Sequence, residues 1–176
     1  GIAVIPNPLL RSEHSWSYEF GGTQILGNNM MEEVSFFRNE FWDLIEPTFN
    51  QTGQVQFQNI TRARIQGMEI NVRTSWFDGI LSGDVGYTSI YPEDISKNDL
   101  LKYRPRHLLY VNGNISVHPV ELGIDFRFIS KADRIDEEFA VLGIIRQGEK
   151  RVPAYVTDLH LNTDWSFIEL PISSSF

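Results

Sequence analysis

Alternation with a period of two constrains this chain more than any other feature. In residues 120–130, Val120, Leu122, Ile124, Phe126 and Phe128 fall on one parity, with Glu121, Asp125 and Arg127 on the other. Successive side chains of an extended strand point to opposite faces, so one face here is apolar and the other polar. Residues 68–76 repeat the pattern: Met68, Ile70, Val72, Thr74 and Trp76 against Glu69, Asn71, Arg73 and Ser75. Residues 81–91 set Leu81, Val85, Tyr87 and Tyr91 against Ser82, Asp84, Gly86 and Thr88. Residues 155–167 set Leu159, Leu161, Trp165 and Phe167 against Asp158, His160, Asn162, Asp164 and Ser166. Near the start, Trp16, Tyr18 and Phe20 alternate with Ser15, Ser17 and Glu19. Residues 107–118 alternate less cleanly, and residues 34–45 are apolar on both parities, which gives no side assignment. No helical period competes, although residues 136–145 could form a short helical turn within a loop.

The alternating spans are long. A strand in a globular protein runs to about 5–6 residues, whereas a tilted strand crossing a membrane needs about 9–11. The connections follow a rhythm as well. Short turns are expected at 27–29, 77–79 and 118–119, where Asn-Asn and Asp-Gly supply the positive φ angles of tight hairpins. Long polar connections are expected at 47–62, 92–104 and 131–153. In an up-and-down sheet this sends every short turn to one end and every long loop to the other, the asymmetry of outer-membrane barrels. A Greek-key sandwich has no reason to keep that order. No run approaches 18 apolar residues, so no transmembrane helix is encoded; no charged, apolar, small-residue leader opens the sequence, so a signal peptide is expected to be absent or to lie outside it.

Charge and composition narrow the function. The chain has 176 residues and a net charge of −8, with both signs interspersed. No basic stripe is present to neutralise phosphates, which argues against nucleic acid as a partner. The absence of cysteine removes disulfides, thiolate nucleophiles and Cys-ligated metals. His107, His118 and His160 lack metal-ligand spacing, and the acidic residues 131–138 lack the spaced Asp/Asn–Gly pattern of a calcium loop. The tripeptides Asn-Gln-Thr, Asn-Ile-Thr and Asn-Ile-Ser match the glycosylation pattern, as short motifs do by chance. Glu69, Arg73, Asp84, Asp125, Arg127, Asp158, His160 and Asp164 are spread over several strands on the polar parity. They read as a hydrated charged wall rather than as an acid–base pair. No nucleophile elbow, triad or phosphate loop appears, so no catalytic, metal or cofactor site is expected.

The motifs at this point resemble a known family. The segment Asn7-Pro8-Leu9-Leu10 through Tyr18-Glu19-Phe20-Gly21 matches a pattern frequent in the β-barrel of TonB-dependent outer-membrane receptors. Asn7, Pro8, Leu10, Glu13, Ser15, Tyr18, Glu19 and Gly21 are in register; Ser12 departs where proline is usual. A second match runs through Asn59, Ala63, Gly67 and Glu69, and a third joins residues 86–94 to the Tyr103–His107 stretch. Gly67 and Gly86 fall on the polar parity, where a missing side chain lets other chain approach closely.

The resemblance implies an all-β fold: about seven long strands of an antiparallel, up-and-down transmembrane barrel in the bacterial outer membrane. Residues 1–176 are then part of one barrel domain. The family's N-terminal plug and the terminal strands are expected to lie elsewhere in a longer receptor. The implied function is active uptake of a scarce nutrient, such as a ferric siderophore, cobalamin or another metal chelate. The implied partners are membrane lipid, the receptor's own plug, and the TonB complex reached through that plug. Lipid-facing positions are expected at Met68, Ile70, Val72, Trp76, Leu122, Ile124, Phe126, Phe128, Leu161 and Trp165, and the charged wall above is expected to face the lumen. Two alternatives remain open from the sequence: a soluble extracellular β-sandwich that binds glycan, and a passive pore or adhesin barrel.

Overall fold

The computed structural model describes residues 3–49, 53–135, 151–164 and 173–175. These residues form ten strands and no helix. The strands are β1 (Val4–Ile5), β2 (His14–Leu26), β3 (Met30–Phe49), β4 (Val55–Trp76), β5 (Leu81–Asp94), β6 (Asp99–Leu100), β7 (His107–Val117), β8 (Val120–Ile129), β9 (Ala154–Asp164) and β10 (Ser173–Ser175). Eight lie side by side in the order β10-β9-β8-β7-β5-β4-β3-β2, with β1 added to β4 and β6 to β5. Every neighbour in that path is antiparallel. The result is a single-layer meander.

A single layer has consequences for packing. Among the described residues the buried apolar side chains are Ala63, Pro92 and Leu101, with Phe41, Leu44 and Ile65 packed against Ala63 and Leu101. Elsewhere large apolar side chains stay open, among them Leu122 at 53% and Leu159 at 74% exposure. A sandwich needs a second sheet to cover that surface, and the described strands supply none. The sandwich alternative is therefore set aside.

The ladder also fixes an angle. The last pair of the first hairpin, Leu26↔Met30, abuts Thr74, two residues short of the pair Trp76↔Leu81 that closes the next. Leu81 in turn abuts Ile115, two residues short of the closing pair Val117↔Val120. Two residues of stagger per two strands, at about 3.4 Å per residue and about 4.8 Å between strands, tilt the strands by about 35°. Closed barrels need tilts of this size.

Several expectations change in detail. The connection expected over 47–62 is largely strand, because β3 and β4 keep one register from Met30↔Thr74 to Phe49↔Val55, interrupted at Asp43, whose φ is 57°. Alternation fades there because neither face needs to be apolar; the backbone ladder continues regardless. The Asn59 carboxamide helps fasten this extension, donating to the carbonyls of Arg11 (3.0 Å) and Asp43 (2.5 Å). The connection expected over 92–104 begins later, since β5 runs to Asp94 and the chain folds back through β6, with Leu101 donating to Pro92. Positive φ falls on Gly27 (63°) rather than on Asn28 or Asn29, and on Phe77, Asp78 and Gly79 in the second turn. The third turn holds a cis His118–Pro119 bond. β10 pairs with β9 and makes an eighth strand in the path, where seven were expected. The short helix considered for 136–145, together with Trp165 and Phe167, lies outside the described residues.

An unclosed sheet with bare outer strands and an uncovered apolar face should not survive alone in water. Residues 1–176 expressed by themselves are expected to sediment as aggregate in plain buffer and to give β-type circular dichroism once placed in detergent micelles. Size-exclusion chromatography checks this; a sharp monomer with cooperative unfolding in buffer would contradict it.

Candidate functional site

Residues paired directly across an antiparallel ladder project to the same side, so the pairing assigns every strand residue to a face. One face carries Arg73, Asp84, Asn112, Asp125 and Asp158 in one continuous row across β4, β5, β7, β8 and β9. Glu69 lies on the same face between Ser35 and Thr88, and Arg127 between Tyr110 and Val156. His160 sits opposite Gly123, and Asp164 follows on the same parity opposite Ser173. The eight polar residues singled out from sequence thus share one side of the sheet.

Their side chains connect. Arg73 Nε donates to Asp84 (2.8 Å), and Arg127 donates to Asp158 (2.9 Å). Asp125 is the hub: it accepts from the Tyr110 hydroxyl (2.9 Å) and the Asn112 amide (3.0 Å), and His160 Nδ1 lies 3.5 Å from its second oxygen. His160 Nε2 reaches Asn114 (3.1 Å), and the Asn114 amide donates to Asn112 (2.6 Å). Gly123 makes this possible, because a Cβ there would collide with the His160 ring and Asn114 Oδ1. Gly86 does the same for Asn71, whose side-chain oxygen would lie 2.9 Å from a Cβ. A row of paired charges and amides held on a water-exposed sheet face can bind solute or protein by hydrogen bonds. It offers no isolated base or nucleophile. Among the described residues no group of three or more His, Asp or Glu is placed to hold a metal ion.

The opposite face carries Met68, Ile70, Val72 and Trp76 from β4, with Val85 and Tyr87 from β5 and Leu109, Val111 and Ile115 from β7. Leu122, Ile124, Phe126 and Phe128 from β8 and Leu159 and Leu161 from β9 continue it. Pairing also resolves β3: Val34 and Phe36 join this apolar face beside Ile70 and Met68, while Phe37 and Phe41 take the other side.

Two features at the long-loop end were not foreseen. A cavity of about 340 Å³ is lined by Glu46, Thr48, Asp94, Lys97, Asp99 and Arg134, among others. Asp94 is buried there beside Lys97, and Arg134 is ion-paired with Asp99. Secondly, on the apolar parity beyond Phe36, Glu40 is 4% exposed among three arginines. Arg38 donates to it through Nη2 (2.5 Å), Arg64 through Nε (2.7 Å) and Arg62 through Nη2 (3.3 Å). Arg64 also reaches Glu93 (3.4 Å), and Arg62 lies over the Trp42 ring at 5.7 Å. The sequence did hold a signal: Arg38, Glu40, Arg62 and Arg64 are charged where the alternation has been apolar.

The chain matches the family model described as TonB dependent receptor-like, beta-barrel, over residues 1–170. No curated protein sequence matches it. Among solved structures it is similar to the copper transporter OprC, with 17% identity, 88% of this chain and 23% of that one covered, and a TM-score of 0.64. It is similar to a variant of the ferric enterobactin receptor PfeA of Pseudomonas aeruginosa (16% identity, 89% and 24% covered, TM-score 0.65). It is likewise similar to the iron transporter FrpB of Neisseria meningitidis (16% identity, 91% and 26% covered, TM-score 0.60). The chain therefore spans about a quarter of the length of these structures, and at such identity they share its fold.

Asp125 should be the most sensitive member of the polar row. In the full-length protein, Asp125→Ala removes the acceptor for Tyr110 and Asn112 together and should lower the heat-modifiability midpoint on semi-native gels. Asp125→Asn, which keeps one acceptor oxygen, should lower it less. Equal midpoints for all three proteins would mean that the network contributes nothing to holding the strands.

Proposed function

Because the chain belongs to the TonB-dependent receptor β-barrel family, we propose that it forms part of the wall of an outer-membrane receptor that imports a scarce nutrient. The observation that carries this reading is the two-faced single layer. A sheet of eight long-path strands keeps a broad apolar face exposed, buries almost no hydrophobic side chain, and presents connected charges on its other side. Lipid is the solvent that such an apolar face requires, and a water-filled interior suits the polar one.

In this reading Met68, Ile70, Val72, Trp76, Leu122, Ile124, Phe126, Phe128 and Leu161 face lipid; Trp165 is assigned with them by sequence parity alone. Glu69, Arg73, Asp84, Asp125, Arg127, Asp158, His160 and Asp164 face the lumen. There they would hold the receptor's plug by charged hydrogen bonds, which are stronger than neutral ones. The strand extensions and loops beyond the apolar belt would capture the ligand. The cargo class is a ferric siderophore, cobalamin or a similar metal chelate, too large for passive pores, and its passage would be energised through TonB acting on the plug. No group-transfer chemistry is needed, so the protein is read as a transporter and not an enzyme.

Deletion of the full-length gene in its own host should abolish saturable uptake of one radiolabelled member of a panel of ferric siderophores and cobalamin. The same uptake should vanish when TonB is removed. Uptake that is unsaturable and indifferent to TonB would point to a passive pore and overturn the proposal.

A further inference from the structure

The arginines around Glu40 have no place in the transport reading, yet they occupy the outer wall. Across the ladder the row Trp16–Glu40–Arg64–Glu93 lies on the apolar parity, one step beyond the row Tyr18–Arg38–Gln66–Tyr91. Next toward the short turns comes the row Phe20–Phe36–Met68–Ser89. The charges therefore cap the apolar belt at its long-loop edge.

The local charges do not balance. Among the described residues, Arg38, Arg62 and Arg64 share one carboxylate, and Glu93 reaches only Arg64. One positive charge is left over. Burying Glu40 under them fixes the guanidiniums in position, while Arg38 and Arg62 keep 48% and 44% of their side chains exposed. Immediately below, an open groove of about 390 Å³ runs between Phe36, Met68, Ser89 and Tyr91, with Arg38 at its upper rim. Ser89 creates the notch, since it is the small residue in a row that runs Phe36–Met68–Ser89–His107. An arginine fork matches a phosphate geometrically, and a partly desolvated guanidinium attracts it strongly. Charged residues are tolerated on a barrel's lipid face only near the interface, which is where this group sits.

We propose that this groove and the Arg38–Arg62 pair form a site for a phosphate-bearing lipid of the outer leaflet. Its acyl chain lies along Phe36, Met68 and Ser89, and its headgroup phosphate meets the two guanidiniums. The inference rests on the reading of the apolar face as lipid-facing. The adjoining apolar groove is the reason for choosing a lipid over a free anion, because inorganic phosphate has no use for it.

The test uses the full-length protein in phosphatidylcholine nanodiscs, with native mass spectrometry as the readout. The probes are diphosphoryl lipid A, its dephosphorylated form and inorganic phosphate. Wild type should retain diphosphoryl lipid A and release the dephosphorylated lipid, and inorganic phosphate should not compete. The double variant Arg38→Gln, Arg62→Gln should lose retention at least about tenfold, and Ser89→Phe, which fills the groove without changing charge, should lose it too. Insertion of each variant is verified by its folded band on semi-native gels; should the double variant misfold, Ser89→Phe alone decides. Equal retention in wild type and variants, equal retention of the dephosphorylated lipid, or competition by inorganic phosphate would each overturn the site. A wild type that inserts into the disc but shows no lipid preference also overturns it and leaves the transport reading intact. A wild type that never inserts defeats the lipid-facing assignment itself.

Discussion

Everything in this structure depends on a long antiparallel backbone ladder. In hydrocarbon no water is available to pair an N–H or C=O, so a spanning chain must satisfy those groups within itself. Strands achieve this only by pairing laterally, and only side chains remain free to choose a solvent. The pairing from Met30↔Thr74 to Trp42↔Arg62, and its equivalents through β9, meets that condition for the strands between the two outer ones. Stability is thus carried by the ladder and by the environment on each face, not by a core. The small apolar cluster around Ala63 and Leu101 is local to the long-loop end.

Once the ladder is fixed, its two faces follow different rules. On the proposed reading the apolar side needs little specific packing, because lipid would fill its gaps, and Leu, Ile, Val, Phe and Tyr stand side by side on it. The polar side is specified by geometry. Gly123 is bare so that His160 can lie across it, and Asp125 collects Tyr110, Asn112 and His160 from two neighbouring strands. A small residue at one position and a bifurcating acceptor at the next tie three strands more firmly than water-solvated charges would. The arginine cluster marks where the apolar parity ends and becomes charged toward the long-loop end.

Much of this was legible in the sequence. Strict alternation at residues 68–76 and 120–130 carries both strand and face, since a one-residue slip would turn Ile124 and Asp125 to the wrong sides. The short turns were legible in place and partly in detail: Asp78 and Gly79 take the positive φ expected of them, joined by Phe77, whereas in the first turn Gly27 takes it in place of Asn28 and Asn29. The strand extensions over 47–49 and 55–62 were not legible. Backbone pairing continues there without an apolar face, so it leaves no hydrophobic period to read. The side of β3 was equally hidden, because Phe37 and Phe41 satisfy local packing while Val34 and Phe36 join the belt, and only pairing separates them. The polar network was half visible: Asp125, Asp158 and His160 stood out, whereas Tyr110, Asn112 and Asn114 lay in a strand whose alternation is less clean.

The central claim is that one face of this sheet meets lipid and the other meets water, and β8 tests it most directly. In the full-length receptor, freed of any cysteines elsewhere, single cysteines from Leu122 to Arg127 are labelled with an environment-sensitive fluorophore. Labels at Leu122, Ile124 and Phe126 should be quenched by lipid-borne quencher and shielded from aqueous quencher. Labels at Gly123, Asp125 and Arg127 should escape the lipid quencher. The period-two pattern in quenching is the predicted result; labels at Leu122, Ile124 and Phe126 that never meet lipid would contradict the account.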